Sequence, residues 1–392
     1  MLHHSKTPLN MRSTGFGPGV QSLPCFLAYS CNQRTGTIRT IAPENCCYPK
    51  DVTNEWLTDV LVHAGHPVKV QGFSMTNIGT GQVGQNIRFE LDYSEGEGPA
   101  SVVGKFASDD PVSRQTGIAV NDYLKEVLFY QQLNPGLDIT TPDILFSAID
   151  LSQPDHFVLM MEDLAPAHPG DQLAGCSADE ASLALGELTG LSGPRWCDAT
   201  LRELDWLAPA ERRQSVPTTL WDMTFPGFLE RYQSRMSSDH IDLARHLGDR
   251  FLSYSKPVTD AFTLVHIDYR LDNMMFGGPY PLAVVDWSPS IGSGAADAAY
   301  FMGTGLEAED RRNCEFSLVK EYHQRLTSYG VDNYDFDTCW LDYRHSSFAG
   351  LVMAVIASMI VAQTARGDDM FMVMARRSAD MALELDALKT LR

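Results

Sequence analysis

The sequence predicts an α+β protein of two lobes, a small antiparallel-sheet lobe followed by a larger, mostly helical one, with a cleft between them. Three observations predict it. Segments of strand character cluster before residue 164, among them the strictly alternating "IRFELDY" of residues 87–93. After Leu164 nearly every periodic segment is helical. The two strand-like exceptions there, "FTLVHID" and "PLAVVDW", bracket the polar stretch "HIDYRLDN" between apolar flanks.

In chain order, residues 1–50 mix Pro, Gly, Ser and Asn with no sustained periodicity and read as a disordered extension. Residues 51–164 form the first lobe. Thr53 can cap a helix through "NEWLTDVLVHAG", whose Trp56, Leu57, Val60 and Leu61 share a face and which Gly65 stops. "VKVQGFSMTNIG" reads as a strand. In "IRFELDY", Ile87, Phe89, Leu91 and Tyr93 lie on one side and Arg88, Glu90 and Asp92 on the other. "SEGEGP" is a turn and "ASVVGKFAS" the returning strand. "VNDYLKEVLFYQQL" has helical spacing and ends at "NPG". "DILFSAID" and "HFVLMMEDL" are two further strands. Residues 165–392 form the helical lobe, in which "SSFAGLVMAVIASMIVAQ", residues 346–363, carries no charge. It sits at the lower edge of a membrane-spanning length, but charges lie close on both sides and no second candidate exists. It is expected to be a buried helix, with no stable membrane insertion.

Composition narrows the function classes. A formal charge of −20 over 392 residues repels phosphate backbones, so a nucleic-acid partner is not expected. Eight cysteines at irregular spacing, with Cys46–Cys47 the one tight pair, make neither a disulfide framework nor a zinc site. Free thiols without a secretory signal lead to the expectation of a cytoplasmic protein. Nothing in the sequence addresses oligomeric state.

The strongest chemical pattern is His266-x-Asp268-x-x-x-x-Asn273, followed thirteen residues later by Asp286 at the end of the apolar "LAVV". Phosphoryl transfer needs these residue types in this order: a carboxylate for the acceptor hydroxyl, an Asn oxygen for a metal ion, and a second carboxylate for the metal that bridges nucleotide phosphates. Asp268 is the candidate for the first role, and Asn273 and Asp286 are candidates for the metal. His266 reads as a brace for the loop. The plainer reading of each is a turn former. Upstream, Gly79-x-Gly81-x-x-Gly84 lies between two predicted strands, where backbone amides could lie over phosphates. A strand follows the glycines, so a dinucleotide-binding βαβ unit is rejected. Lys105 on the next strand, among apolar neighbours, has to reach solvent or an anion. Glu126 on the following helix could pair with it, or lie exposed.

This ordered set resembles the aminoglycoside phosphotransferase and choline-kinase-like family, the small-molecule branch of the protein-kinase-like fold. The motifs carrying the resemblance are "LVHIDYRLDNMMF", "LAVVDWSPSIGSGAADAAYFMG", "FVLMMEDL" and "YLKEVLFYQQL", spread over about residues 51–305. "GQVGQN" and "EVLFY" are more similar to its bacterial ecdysteroid-kinase-like members. The resemblance implies ATP and magnesium as cofactors, Asp268 as catalytic base, and Asn273 and Asp286 as metal ligands. It implies Lys105 as the phosphate-binding lysine, paired with Glu126, and an adenine site at the backbone of Met161, Glu162 and Asp163. Asp297, in "DAAYFM", would open a helix that braces the active loop; a simple helix N-cap fits it equally. One residue departs from the family: Ile267 stands where Gly follows the His. A β-branched residue avoids positive φ, so an ordinary backbone conformation is expected there.

The expected function is transfer of the γ-phosphate of ATP to a hydroxyl of a small molecule. The alternative is an inactive nucleotide-binding protein of the same architecture, in whose favour Ile267 stands. A protein kinase is disfavoured, because no "APE"-like segment follows Asp286 and "DW" replaces "DFG". For the acceptor, the acidic balance suits an amino sugar or choline-like cation. The Met-rich C-terminal helices suit a sterol, macrolide or acyl chain, and the sequence leans that way.

Overall fold

The computed structural model describes residues 44–79, 83–207 and 210–391. Its first lobe is a five-stranded antiparallel sheet, ordered β1-β2-β3-β5-β4. The strands are β1 (Lys69–Ile78), β2 (Gly84–Glu95), β3 (Ser101–Ala107), β4 (Ile144–Asp150) and β5 (Gln153–Glu162). The alternation in β2 is realised: Ile87, Phe89 and Leu91 are buried while Glu90 and Asp92 are exposed. Helix α1 (Asn54–His63) starts where Thr53 accepts the Trp56 N–H, and it buries Leu57, Val60 and Leu61 in the core that holds Phe89, Phe106 and Phe146.

Two helices, not one, lie between β3 and β4. Helix α2 (Pro111–Ala119) has Pro at its first position and Asp110 as cap. Asn121, at φ 58°, turns the chain into α3 (Asp122–Leu128), which runs on through a π-helical turn at Phe129–Leu133. Close approach explains the tight corner. A Cβ on Gly117 would lie 2.6 Å from the Tyr123 ring.

In the second lobe the strands are short: β6 (His168–Pro169), β7 (Thr263–Val265), β8 (Met274–Phe276), β9 (Leu282–Val284) and β10 (Ser290–Gly292). They pair as β6-β8-β9 and β7-β10. The helices are α4 (Ala178–Ser192), α5 (Ala210–Tyr232), α6 (Ser238–Asp249), α7 (Phe251–Tyr254), α8 (Ala296–Gly305), α9 (Ala308–Thr327), α10 (Phe336–Ser346), α11 (Ala349–Ile360) and α12 (Ala365–Glu384). Residues Asp297–Gly305 of α8 are all buried, so α8 is the axis of this lobe. It packs against α4, α10, α11 and α12. One continuous core joins the lobes, running from Val103, Val127 and Leu159 to Trp287, Phe301 and Met374.

Two expectations bear on boundaries. The uncharged stretch 346–363 is divided: α10 ends at Ser346, and α11 has 12 residues, about 18 Å of helix. Among the described residues no helix is long and apolar enough to cross a membrane. The packed lobe, by contrast, begins before residue 51. Residues 1–43 of the extension lie outside the described residues, but its last residues are held. Cys46 is buried in the α1 core, the Asn45 amide donates to the His156 carbonyl at 3.1 Å, and the Trp56 indole donates to the Glu44 carbonyl at 2.7 Å. The Asn45 contact is made across 111 residues of chain, which local periodicity does not register. A chain beginning at residue 51 should therefore melt at least about 3 °C below one beginning at residue 44. Equal melting temperatures in a calorimetric comparison would show that residues 44–50 add nothing.

Candidate active site

The cleft between the lobes has a volume of about 620 Å³. Lys105 enters it from β3. Its side chain is buried, and its ammonium donates to Glu126 Oε1 at 2.8 Å and Asp286 Oδ1 at 2.5 Å. Glu126, on α3, is itself 3% exposed, so the plainer reading of it as a solvated helix residue fails. Burial works against the ammonium, but the Asp286 and Glu126 carboxylates more than offset it and hold Lys105 protonated. Burial also works against the Asp286 carboxylate, and Lys105 reverses that, so Asp286 stays ionised below its ordinary range. Glu126 is pushed up to about 7 by burial, against the pull of Lys105.

The glycine-rich turn is the β1–β2 hairpin tip. Gly79 leaves β1 at φ +78°, Gly81 lies outside the described residues, and Gly84 opens β2. A Cβ on Gly84 would sit 3.1 Å from Lys105 Cε and 3.3 Å from the Phe106 carbonyl, so this glycine makes room for the lysine. Gly79 and Gly84 both line the cleft.

On the opposite wall, β7 and β8 are the buried flanks of the polar loop. His266 is fully buried, and its Nε2 lies 3.1 Å from the Val285 carbonyl. A carbonyl only accepts, so the proton sits on Nε2. Burial lowers the imidazole's affinity for a second proton, so His266 is a neutral brace. It packs on Trp287 (ring centroids 4.5 Å), which stacks on Phe129 at 3.8 Å, linking the loop to the end of α3.

Ile267 corrects the expectation drawn from its side chain: its φ is +75°. The cause is the Asp297 carboxylate, which accepts the His266 N–H at 2.5 Å and the Ile267 N–H at 3.2 Å. Two bonds from the buried α8 fix a backbone turn that a β-branched residue resists. With the Ile267 side chain 41% exposed, there is little packing to oppose it. Asp297 is not the cap of α8, which is Ala295; its partners lie 31 and 30 residues upstream.

Asp268 points into the cleft. Arg270 Nε donates to both its oxygens (3.0 and 2.9 Å), the Tyr300 hydroxyl to Oδ1 (2.7 Å) and the Asn273 amide to Oδ2 (2.9 Å). Burial opposes the charge, but Arg270 and Tyr300 hold Asp268 ionised below the ordinary carboxylate range. Asn273 is tied to the Asp286 loop through its carbonyl, which accepts the Val285 N–H at 3.0 Å. Both hydrogen bonds of its side chain are made by Nδ2, so Oδ1 is the group it has for a cation. Asp286, at φ +60°, bonds Lys105 through one oxygen. Among the described residues no three His, Cys, Asp or Glu side chains cluster tightly enough to cage a metal alone. One carboxylate and one amide oxygen suit magnesium, which takes few protein ligands and completes its shell with phosphate and water.

Met161, Glu162 and Asp163 line the cleft. Their polar groups have prior partners, however. The Glu162 N–H donates to the Asp143 carbonyl at 2.9 Å. The Asp163 carboxylate is clamped by Arg88 (2.6 and 3.0 Å) and Ser101 (2.6 Å). It therefore fixes the linker to β2 and β3, and Leu164, next along, also lines the cleft. Five site residues escaped sequence reasoning: Arg270, Tyr300, Asp122, Ser288 and Arg366. Arg270 lay inside the quoted motif. Asp122 accepts a short hydrogen bond from Ser288, beside Asp286, and only the fold brings those two together.

No protein-family model matches the chain, and no curated protein does. Solved structures do. A choline kinase from Cryptosporidium parvum Iowa II matches at a TM-score of 0.50 and 10% identity, over 83% of this chain and 94% of that one. An ethanolamine kinase from Plasmodium vivax matches at 0.43 and 12%, over 83% and 88%. The GDP and kanamycin complex of the phosphotransferase APH(2'')-IIIa matches at 0.47 and 14%, over 85% and 98%. At 10% identity the likeness to the choline kinase establishes the fold alone, the two-lobed protein-kinase-like architecture expected from the sequence. The ecdysteroid-kinase-like refinement is carried by motif character alone.

Strain at Ile267 is measurable. Ile267→Gly should stabilise the protein by about 1 kcal/mol, the relief at positive φ exceeding the entropy cost of glycine. Urea unfolding measures it, and a destabilised variant would show that the turn stores no strain.

Proposed function

We propose that the chain is an ATP- and magnesium-dependent phosphotransferase acting on a hydroxyl of a small molecule. The observation that carries this reading is one buried cation, Lys105, bonded to Glu126 and Asp286 in a cleft that Asp268 and Asn273 also line. Lys105 would hold the α- and β-phosphates, kept protonated by its two carboxylates. Gly79 and Gly84 line the cleft on the same side, where backbone amides could meet the phosphates. Met161 to Leu164 form the wall for the base. Asn273 and Asp286 would hold magnesium, which when bound neutralises charge developing on the phosphate oxygens.

Asp268 is ionised and sits on a loop that Asp297, His266 and Trp287 hold in place. It would orient the acceptor hydroxyl and take its proton as the oxygen attacks the γ-phosphorus. Arg270 and Tyr300 set the angle of its carboxylate. The fold shared with a choline kinase is consistent with this chemistry.

A second reading, nucleotide binding without turnover, has one observation in its favour. Both Asp268 oxygens already accept hydrogen bonds, from Arg270, Tyr300 and Asn273. The two carboxylates separate the readings. Asp268→Asn should leave magnesium-dependent ATP affinity within about twofold and cut turnover by about 10²-fold or more. Asp286→Asn should weaken magnesium-dependent binding as well as turnover. Calorimetric titration with and without magnesium, beside a steady-state assay, tests both. Wild-type turnover in Asp268→Asn would remove the base, and no turnover in the parent with any acceptor would favour the second reading.

A further inference from the structure

The acceptor end of the cleft differs chemically from the phosphate end. Its wall is built from α11, α12 and the segment joining them: Met353, Ala357, Val361, Met370, Phe371 and Met374 line the same cavity as Asp268. Met370, Phe371 and Met374 are buried, while Met353, Ala357 and Val361 are half-buried toward the opening. Arg366, between Val361 and Met370, is the polar side chain that reaches the cavity from this stretch, and Arg270 Nη1 lies 3.4 Å from Met370 Sδ. Thioethers are polarizable and unbranched, so such a wall moulds to irregular apolar shapes.

The charges beside this wall cancel. Two carboxylates, Asp268 and Asp272, face it, with two guanidiniums, Arg270 and Arg366. Asp272 accepts from Arg270 Nη1 at 2.6 Å, from Arg366 at 3.1 and 3.4 Å, and from the Gln172 N–H at 3.3 Å. Asp268 is bonded by Arg270 and Tyr300. The cleft as a whole carries more carboxylates than cations, but the two beside the apolar wall, Asp268 and Asp272, are each already paired with a guanidinium. An amino sugar would bring several ammonium groups against Arg270 and Arg366 and leave them without carboxylates, which is costly in a partly desolvated cleft. A quaternary amine would need several aromatic faces; this wall offers Phe371, and Tyr300 nearby is engaged by Asp268 through its hydroxyl.

We propose that the acceptor is an uncharged alcohol with an apolar body, a fused-ring or long-chain compound whose hydroxyl is presented to Asp268. This rests on the phosphotransferase reading above. The hydroxyl oxygen bonds to the γ-phosphorus, the bond from that phosphorus to the β-bridging oxygen of ATP breaks, ADP leaves, and the hydroxyl proton passes to Asp268.

The test uses the full chain with magnesium and four probes: ecdysone and 1-decanol as uncharged apolar alcohols, kanamycin and choline as cations. Binding is measured by calorimetry with a non-hydrolysable ATP analogue present, and transfer from ATP by mass spectrometry of the probe. At least one apolar alcohol should bind and gain a phosphate with a kcat/KM at least about tenfold above both cations. Val361→Glu, at the half-buried edge of the wall, should raise the KM for that alcohol on the order of tenfold and narrow the gap to choline. Thermal melting checks that the variant folds. Preference for kanamycin or choline would overturn the proposal. ATP hydrolysis without acceptor reports on the phosphotransferase reading alone. Hydrolysis with no binding of either apolar alcohol would overturn the acceptor class and leave that reading standing. Apolar binding with neither transfer nor hydrolysis would overturn both.

Discussion

The buried ammonium of Lys105 is the constraint on which the rest of the structure depends. A charge this far from water needs anions beside it, and it has two, Glu126 at 2.8 Å and Asp286 at 2.5 Å. They come from different places: Glu126 from α3 of the first lobe, Asp286 from the turn after β9 of the second. One side chain of β3 therefore fixes the relative position of both lobes at the cleft floor. Removing Lys105 would leave two carboxylates facing each other without a cation, while removing either carboxylate leaves the ammonium one partner. Neighbouring features follow from the same demand. Gly84 has no side chain because Lys105 passes over it, and the Phe129–Trp287 stack keeps the Glu126 helix in register with the Asp286 turn.

A second constraint acts through α8. This helix is buried on all sides, and its Asp297 supplies the polar bonds that the loop backbone needs. Burial pushes the Asp297 carboxyl up to about 7, and the His266 and Ile267 N–H groups pull against that. The loop is thus held by a costly group in a strained turn, with Ile267 and Asp286 both at positive φ. Strain of this kind persists only where the surroundings over-determine it, and it concentrates where side chains must be aimed. Asp268 and Asn273 lie between those two turns.

What could be read in advance follows the range of the forces. Strand β2 announced itself because Ile87, Phe89 and Leu91 alternate with charged residues. Lys105, Asp268, Asn273 and Asp286 stood out as polar groups set among apolar runs, and the fold brings all four to one cleft. Helix α2 was missed although Asp110 followed by Pro111 is a helix start. The conformation of Ile267 could not be read locally, since a carboxylate some thirty residues away overrides the preference of its side chain. Arg366 and Tyr300 join the site from α12 and α8 through tertiary packing, as do residues 44–50 on the first lobe. No spacing rule encodes such contacts.

If the buried ammonium is a phosphate site, its removal should be felt by phosphates alone. The direct measurement is calorimetric titration of ATP and of adenosine, with magnesium, into the parent protein and Lys105→Met. Adenosine, which lacks phosphates but keeps the base, also reports whether the cleft is intact. ATP binding should be at least about tenfold weaker in the variant, with adenosine affinity unchanged. An equal loss for both ligands, or none for ATP, would contradict a phosphate-binding role for Lys105.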